Sequence, residues 1–117
     1  MWTQELAIAL CRDLERIAPA FGAHIGLTGG CLYKKGERKD CDILVYRIRQ
    51  ADTIDVEGFF EAVKAIGIER KSGFGWCFKA TLKGLPIDFF FPEEDGEYEG
   101  FDETAHVAEM IPFTEIF

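Results

Sequence analysis

The stretch that decides the fold begins Ile25-Gly26-Leu27-Thr28-Gly29-Gly30, crosses the basic segment Lys34-Lys35-Gly36-Glu37-Arg38-Lys39, and ends Asp40-Cys41-Asp42-Ile43. Residues 23–28 read as a short buried strand that runs straight into two glycines. Glycines at such a point let the backbone approach a ligand closely, and successive N–H groups at a turn or helix start bind phosphate well. Residues 31–36 are expected to form a single helical turn closed by Gly36. A second strand then covers residues 41–49, with Ile43, Val45 and Arg47 on one face and Asp40, Asp42, Leu44 and Tyr46 on the other. Two carboxylates one residue apart on a strand share a face and stand close enough to share a divalent cation. Mg²⁺ is a hard ion that prefers oxygen ligands, typically one or two carboxylates together with phosphate oxygens.

Before this stretch, Trp2, Leu6, Leu10, Leu14 and Ile17 recur at helical spacing, which predicts an amphipathic helix over 2–18, ended by Pro19. After it, Asp55 is a candidate N-cap for a second helix running to Ile66. Val56, Phe59, Phe60, Val63 and Ile66 form its apolar stripe, and Gly67 closes it. Three more strands follow, at 68–71, 76–82 and 85–91, separated by Gly73-Phe74-Gly75 and Lys83-Gly84 and stopped by Pro92. Helix, strand, strand, helix and three strands make an α+β domain, a mixed β-sheet with helices packed on one face.

The last strand holds the most informative residue. Asp88 lies between Ile87 and Phe89-Phe90-Phe91, and an acid in so apolar a run is costly to bury unless a cation compensates it. It supplies the third carboxylate. Taken singly, each feature has a plainer reading: the glycines as a turn, the lysines as a solvated loop, Asp88 as an acid paired with Arg47 or Lys79. Their order along the chain favours a site instead, with a glycine turn, then Asp-x-Asp on a strand, then a lone Asp on a later strand.

The 117 residues suit one domain with one core, and 11 Phe argue against disorder. Charge is divided unevenly: residues 1–92 carry a net +1, while 93–117 hold nine acids and no Lys or Arg. We therefore expect the domain to fill 1–92 and an acidic tail to occupy 93–117, with Met110, Ile111, Phe113 and Phe117 available to pack back on the body. Lys34, Lys35, Arg38, Lys39, Arg47 and Arg49 cluster beside Asp40 and Asp42, an anion site next to a cation site and no face for duplex nucleic acid. No apolar run approaches the ~20 residues of a membrane span, and the first residues lack the pattern of a signal peptide. A cytoplasmic setting with reduced thiols follows. Cys11, Cys31, Cys41 and Cys77 lack the spacing of a zinc site; Cys41 is expected to face the core and Cys31 to border the pocket, open to alkylation. His24 and His106 read as structural. Phe74, Trp76 and Tyr46 are candidates for stacking on a base, although strand aromatics usually fill cores.

The run from Leu27 through Gly29-Gly30 to Asp40-Cys41-Asp42-Ile43 resembles the signature of the nucleotidyltransferase superfamily related to DNA polymerase β. Lys39-Asp40-Cys41-Asp42 with Gly29-Gly30 is similar to the CCA-adding enzymes in particular, and Asp88 looks like the family's third carboxylate. The resemblance spans residues 25–91. It implies the minimal nucleotidyltransferase fold and a Mg²⁺- or Mn²⁺-dependent transfer of a nucleoside monophosphate from a nucleoside triphosphate to a hydroxyl on a protein, nucleic acid or small molecule. Asp40, Asp42 and Asp88 would be the catalytic metal ligands. Gly29, Gly30, Lys34, Lys35, Arg38 and Lys39 would bind the triphosphate. Small stand-alone members of the superfamily often work beside a partner protein. The alternative is a catalytically weak or inactive nucleotide-binding module of the same fold, acting through a partner, since no helical domain follows to grip the base or the acceptor.

Overall fold

The alternation of apolar and polar residues along five segments builds one sheet, and the computed structural model describes it through residues 1–93. Its elements in chain order are α1 (Gln4–Ile17), β1 (Ala23–Thr28), α2 (Gly30–Tyr33), β2 (Cys41–Arg47), α3 (Val56–Val63), β3 (Ile68–Phe74), β4 (Cys77–Leu82) and β5 (Leu85–Phe90). The strands lie side by side in the order β1-β2-β5-β4-β3. The β2–β5 pair is parallel, and the other neighbours are antiparallel. The chain reaches the parallel pairing by leaving β2, crossing through α3 and the β3–β4 hairpin, and returning to the centre as β5. This is the α+β arrangement that the sequence implies.

Period-two alternation sorts the central strands into two faces. Cys41, Ile43 and Val45 of β2 and Ile87 and Phe89 of β5 are buried toward the helices, against Leu10, Leu14, Phe59, Phe60 and Val63. Edge-to-face contacts hold the aromatic part of this core, with Phe59 and Phe60 each 5.5–5.8 Å from Phe89 between ring centroids. Asp42, Leu44, Asp88 and Phe90 occupy the intervening positions and turn to the far face.

The local signals act largely where the sequence puts them. Thr3 caps α1 by accepting from the Leu6 amide, and Asp55 caps α3 by accepting from that of Gly58. Lys83 and Gly84 both have positive φ, the requirement of a tight two-residue hairpin between β4 and β5. Several expectations need correction. Leu6 is 48% exposed, and Ala7 takes the buried position in the α1 stripe with Leu10 and Leu14. Gly73 and Phe74 belong to β3, which a bulge between Arg70 and Ser72 carries past the expected end, so the turn falls at Gly75 and Trp76. The second strand ends at Arg47, two residues early, where the Ile48 amide instead donates to the Gly22 carbonyl.

Trp2 is no helix residue. Its backbone pairs with Arg38 in both directions at 2.7 Å, and its indole Nε1 donates to the Pro86 carbonyl at 2.6 Å. One buried residue thus ties the N-terminus to the loop before β2 through its backbone and to the start of β5 through its side chain. Glu93, assigned to the tail, is joined to the domain edge by accepting from the Arg47 amide at 2.9 Å. The remaining tail positions, Met110, Ile111, Phe113 and Phe117 among them, lie outside the described residues. No helix among the described residues is long and apolar enough to cross a membrane.

Truncating Trp2 to Ala removes the bond to Pro86 together with a large fully buried side chain, while leaving the backbone pair with Arg38. We expect Trp2→Ala to lower unfolding free energy by about 3–5 kcal/mol in urea titrations. Trp2→Phe keeps most of the packing and loses the bond to Pro86, so it should fall between Trp2→Ala and the unaltered chain.

Candidate catalytic site

The parallel pairing of β2 with β5 sets Asp42 directly beside Asp88. Thr28 stands opposite Asp42 on β1, and Lys79 opposite Asp88 on β4. A single cross-strand row therefore runs Thr28, Asp42, Asp88, Lys79 over four strands on the face turned from the helices. Adjacent strands lie about 4.8 Å apart, and two like charges directly opposite repel. Burial raises the Asp42 carboxyl above the usual aspartate range; the neighbouring Asp88 and Asp40 charges raise it further, while Lys79 pulls it down. Asp88 is largely enclosed, with its side chain 14% exposed and Oδ1 3.0 Å from Lys79 Nζ. Of the two cations that the plainer reading of Asp88 offered, Lys79 is the one in contact. Arg47 is bound to Glu93 and to the Asp52 carbonyl.

Gly29 forms the floor of the site. Its φ of +70° suits glycine, and a Cβ there would land on the Asp42 carboxylate. The strand-to-helix turn and the acid are therefore packed in contact, which places the first amides of α2, lacking partners within the helix, next to the carboxylate pair. Gly30 faces Arg38, whose Cδ would lie 3.2 Å from a Cβ at that position. Arg38 Nε is buried without a hydrogen-bond partner among the described residues, while its Nη2 donates to the Lys35 carbonyl at 3.2 Å. An unsatisfied guanidinium nitrogen against the glycine turn is a donor suited to an anion.

The other candidates are less tightly placed. Asp40 is exposed and lies one residue ahead of β2, near enough to act on Asp42 through its charge. Among the described residues no three Asp, Glu, His or Cys side chains stand together as a ready cage for an ion. The pair Asp42–Asp88 is the formed part. Two carboxylates whose repulsion Lys79 relieves only in part, beside the glycine turn, nonetheless suit Mg²⁺, which keeps several waters and completes its shell from substrate. Lys34, Lys35 and Lys39 stand in solvent on the loop between α2 and β2.

Cys41 is buried beneath the site as expected. Cys31 departs from expectation: it is 1% exposed, its Sγ donates to the Asp40 carbonyl at 3.4 Å, and burial pushes its thiol up. It is a structural thiol that steadies the approach to Asp40, not an alkylation-prone rim. His24 meets Glu15 through Nδ1 at 2.7 Å, consistent with a structural part. The residue under-read in the sequence is Lys79, because only the register of β4 against β5 shows which acid it meets. A separate groove of about 600 Å³ lies between α3 and β3. Its charges answer one another as the pairs Arg70–Glu57, Lys64–Glu61 and Lys71–Glu69, so it has no excess of either sign to offer a substrate.

No family model matches the chain, and no curated protein matches it. Among solved structures it is similar to a cytoplasmic RNA terminal U-transferase, at 25% identity and a TM-score of 0.55, over 77% of this chain and 28% of that one. It is also similar to the Cid1 poly(U) polymerase with Mg and 3'-dATP bound, at 22% identity and a TM-score of 0.55, over 77% of this chain and 31% of that one. A further structure of Cid1, described for its RNA terminal uridylyl transferase activity, matches at 23% identity and a TM-score of 0.51, over 77% and 29%. The fold is that of the nucleotidyltransferases, and the chain spans less than a third of the length of each of these proteins.

Two outcomes follow from the site's electrostatics and packing. Since Asp42 is raised, the folded state holds a proton more readily than the unfolded chain. Stability of the ion-free protein should then fall as pH rises from the ordinary aspartate range through the raised value. Asp42→Asn removes that penalty, so in EDTA it should melt at a higher temperature than the unaltered chain at neutral pH, the gain vanishing at pH below the ordinary aspartate range. Gly29→Ala forces the floor apart and should cost about 1–3 kcal/mol or more in denaturant titrations.

Proposed function

We propose that this domain is a Mg²⁺- or Mn²⁺-dependent nucleotidyltransferase that moves a nucleoside monophosphate from a nucleoside triphosphate to a hydroxyl acceptor. The observation that carries the reading is the side-by-side seating of Asp42 and Asp88 on parallel strands, packed against a glycine turn that leads into α2. The similarity of fold to an RNA terminal U-transferase supports it.

On this reading Asp42 and Asp88 would hold the metal, with Asp40, whose charge reaches Asp42, available as a further oxygen ligand. The bound ion would neutralise phosphate charge and lower the barrier to its transfer. Gly29 and Gly30 bring backbone amides to the triphosphate, and Arg38 offers its unpartnered Nε. Lys34, Lys35 and Lys39, on the adjoining loop, close over the outer phosphates and offset charge that develops on the leaving group. The acceptor hydroxyl is oriented beside Asp88, which takes its proton. The new oxygen–phosphorus bond forms at the α-phosphate as the bond to the bridging oxygen breaks in line, and pyrophosphate departs with the electron pair.

One observation favours a second reading. Lys79 already engages Asp88, a contact that a binding module without turnover would keep. Such a module would take up nucleotide and act through a partner protein.

Incubation with labelled nucleoside triphosphates and Mg²⁺ or Mn²⁺, alone and with any co-purifying protein, separates the readings. We expect label incorporation that falls by at least about a hundredfold in Asp42→Ala and persists in Glu57→Ala, whose carboxylate is spent on Arg70. Metal-dependent nucleotide binding without incorporation would establish the module instead. Loss of label in both variants alike would count against a role for the carboxylate row.

A further inference from the structure

The carboxylate row contains its own cation. Lys79 and Asp88 are direct partners on antiparallel strands, so sheet register, and no mobile loop, brings Nζ to 3.0 Å from Oδ1. The acid is largely enclosed and the lysine is half exposed, at 14% and 50%. A charged head is thereby fixed on a buried partner while its stem reaches solvent. The same ammonium acts on Asp42 and Asp40 through its charge. Arg38, the other cation packed near the glycine turn, is held to the Lys35 carbonyl instead, and Lys34, Lys35 and Lys39 are in solvent. One ammonium answers one carboxylate well. It leaves the second repelled, whereas a divalent ion bridging the pair answers both.

We propose that Lys79 is a tethered counter-cation that competes with the divalent ion for Asp88 and so sets the ion affinity of the site from β4. The inference rests on the reading of Asp42 and Asp88 as ion ligands. Without the ion, Lys79 offsets part of the repulsion that would otherwise push the two strands apart. For the ion to engage Asp88 Oδ1, the ammonium must leave it, and a flexible half-exposed stem lets it do so without disturbing the sheet. Lys79 is a positioning residue in this scheme: it acts on the ligand and need not touch the reacting atoms.

Mn²⁺ titration of the full chain, followed by electron paramagnetic resonance in the absence of nucleotide, tests this. Lys79→Met keeps the stem and removes the charge; it should bind Mn²⁺ about five- to tenfold more tightly than the unaltered chain. Lys79→Arg places a firmer two-pronged donor on Asp88 and should bind it more weakly, which keeps the test decisive even if the methionine variant fails to fold. Lys71→Met, which breaks the pair with Glu69 on β3, should match the unaltered chain. Unchanged affinity in both Lys79 variants, shifts of the opposite sign, or no Mn²⁺ binding with or without Lys79 would overturn the proposal. Labelled-nucleotide transfer measured alongside keeps the two ideas apart. Turnover with affinities indifferent to Lys79 sinks the counter-cation and spares the transferase; tightened Mn²⁺ binding without turnover in any variant does the reverse.

Discussion

Everything that distinguishes this domain from an ordinary α+β sheet depends on the register of one parallel strand pair. Ile43 and Val45 on β2, and Ile87 and Phe89 on β5, are fully buried against the helices. A slip of one residue in either strand would turn that set outward and bring the acids inward. The hydrophobic core therefore enforces the meeting of Asp42 with Asp88: the residues that stabilise the fold also impose the charge conflict. Antiparallel partners on both sides, β1 against β2 and β4 against β5, lock the pair from its flanks and bring Thr28 and Lys79 into the same row. Chemistry on the far face is thus a consequence of packing on the near one.

A conflict placed so centrally needs relief, and two nearby features supply it unequally. Lys79 gives Asp88 a direct partner. Gly29 gives Asp42 room that any side chain would occupy. Neither removes the burden on Asp42, whose carboxyl stays raised chiefly because it is desolvated. Arg38 carries a second unmet demand a short distance away, a buried donor without an acceptor among the described residues. A half-buried acid with no cation in direct contact among the described residues, and a buried donor with no acceptor among them, lie on either side of one glycine turn; on the proposed function a metal-bound polyphosphate would satisfy both. Polar groups left unsatisfied cost stability, and on the proposed function the bound nucleotide and its ion would remove that cost.

How much of this was legible beforehand follows from which signals are local. β1 is read at its observed bounds because an apolar run with turn residues at both ends marks a strand without help from elsewhere. The cap Asp55 and the hairpin turn at Lys83-Gly84 likewise act within a few residues of themselves. The failures are of the opposite kind. Trp2 fits the period of α1, yet it is claimed by Arg38 and Pro86, 36 and 84 residues away, and no window on the sequence contains them. Leu6 falls on the helical stripe but points where nothing among the described residues covers it, with Ala7 nearer the sheet. β3 outruns its expected end because β4 pairs with it beyond the bulge. For the site, the acids were nameable from spacing and from the oddity of an Asp among phenylalanines. The thing that spacing could not supply was the register, and with it the identity of the cation on Asp88 and the enclosure of Cys31.

The distribution of these groups along the chain bears on what the domain is equipped to do. The glycine turn, Arg38, Asp40 and Asp42 fall within 14 consecutive residues, and only Asp88 and Lys79 are recruited from afar, through the sheet. A compact constellation of this kind is adequate for gripping phosphate and metal, because those partners are small, highly charged and need few contacts. Discrimination of a base or of an acceptor needs a larger and more varied surface. The groove between α3 and β3 is lined by charges already paired with one another. On the proposed function, then, the part of the reaction common to all nucleotidyl transfers resides in this sheet, and choice of substrate would come from surfaces beyond it, consistent with a chain that aligns with less than a third of each larger enzyme it resembles.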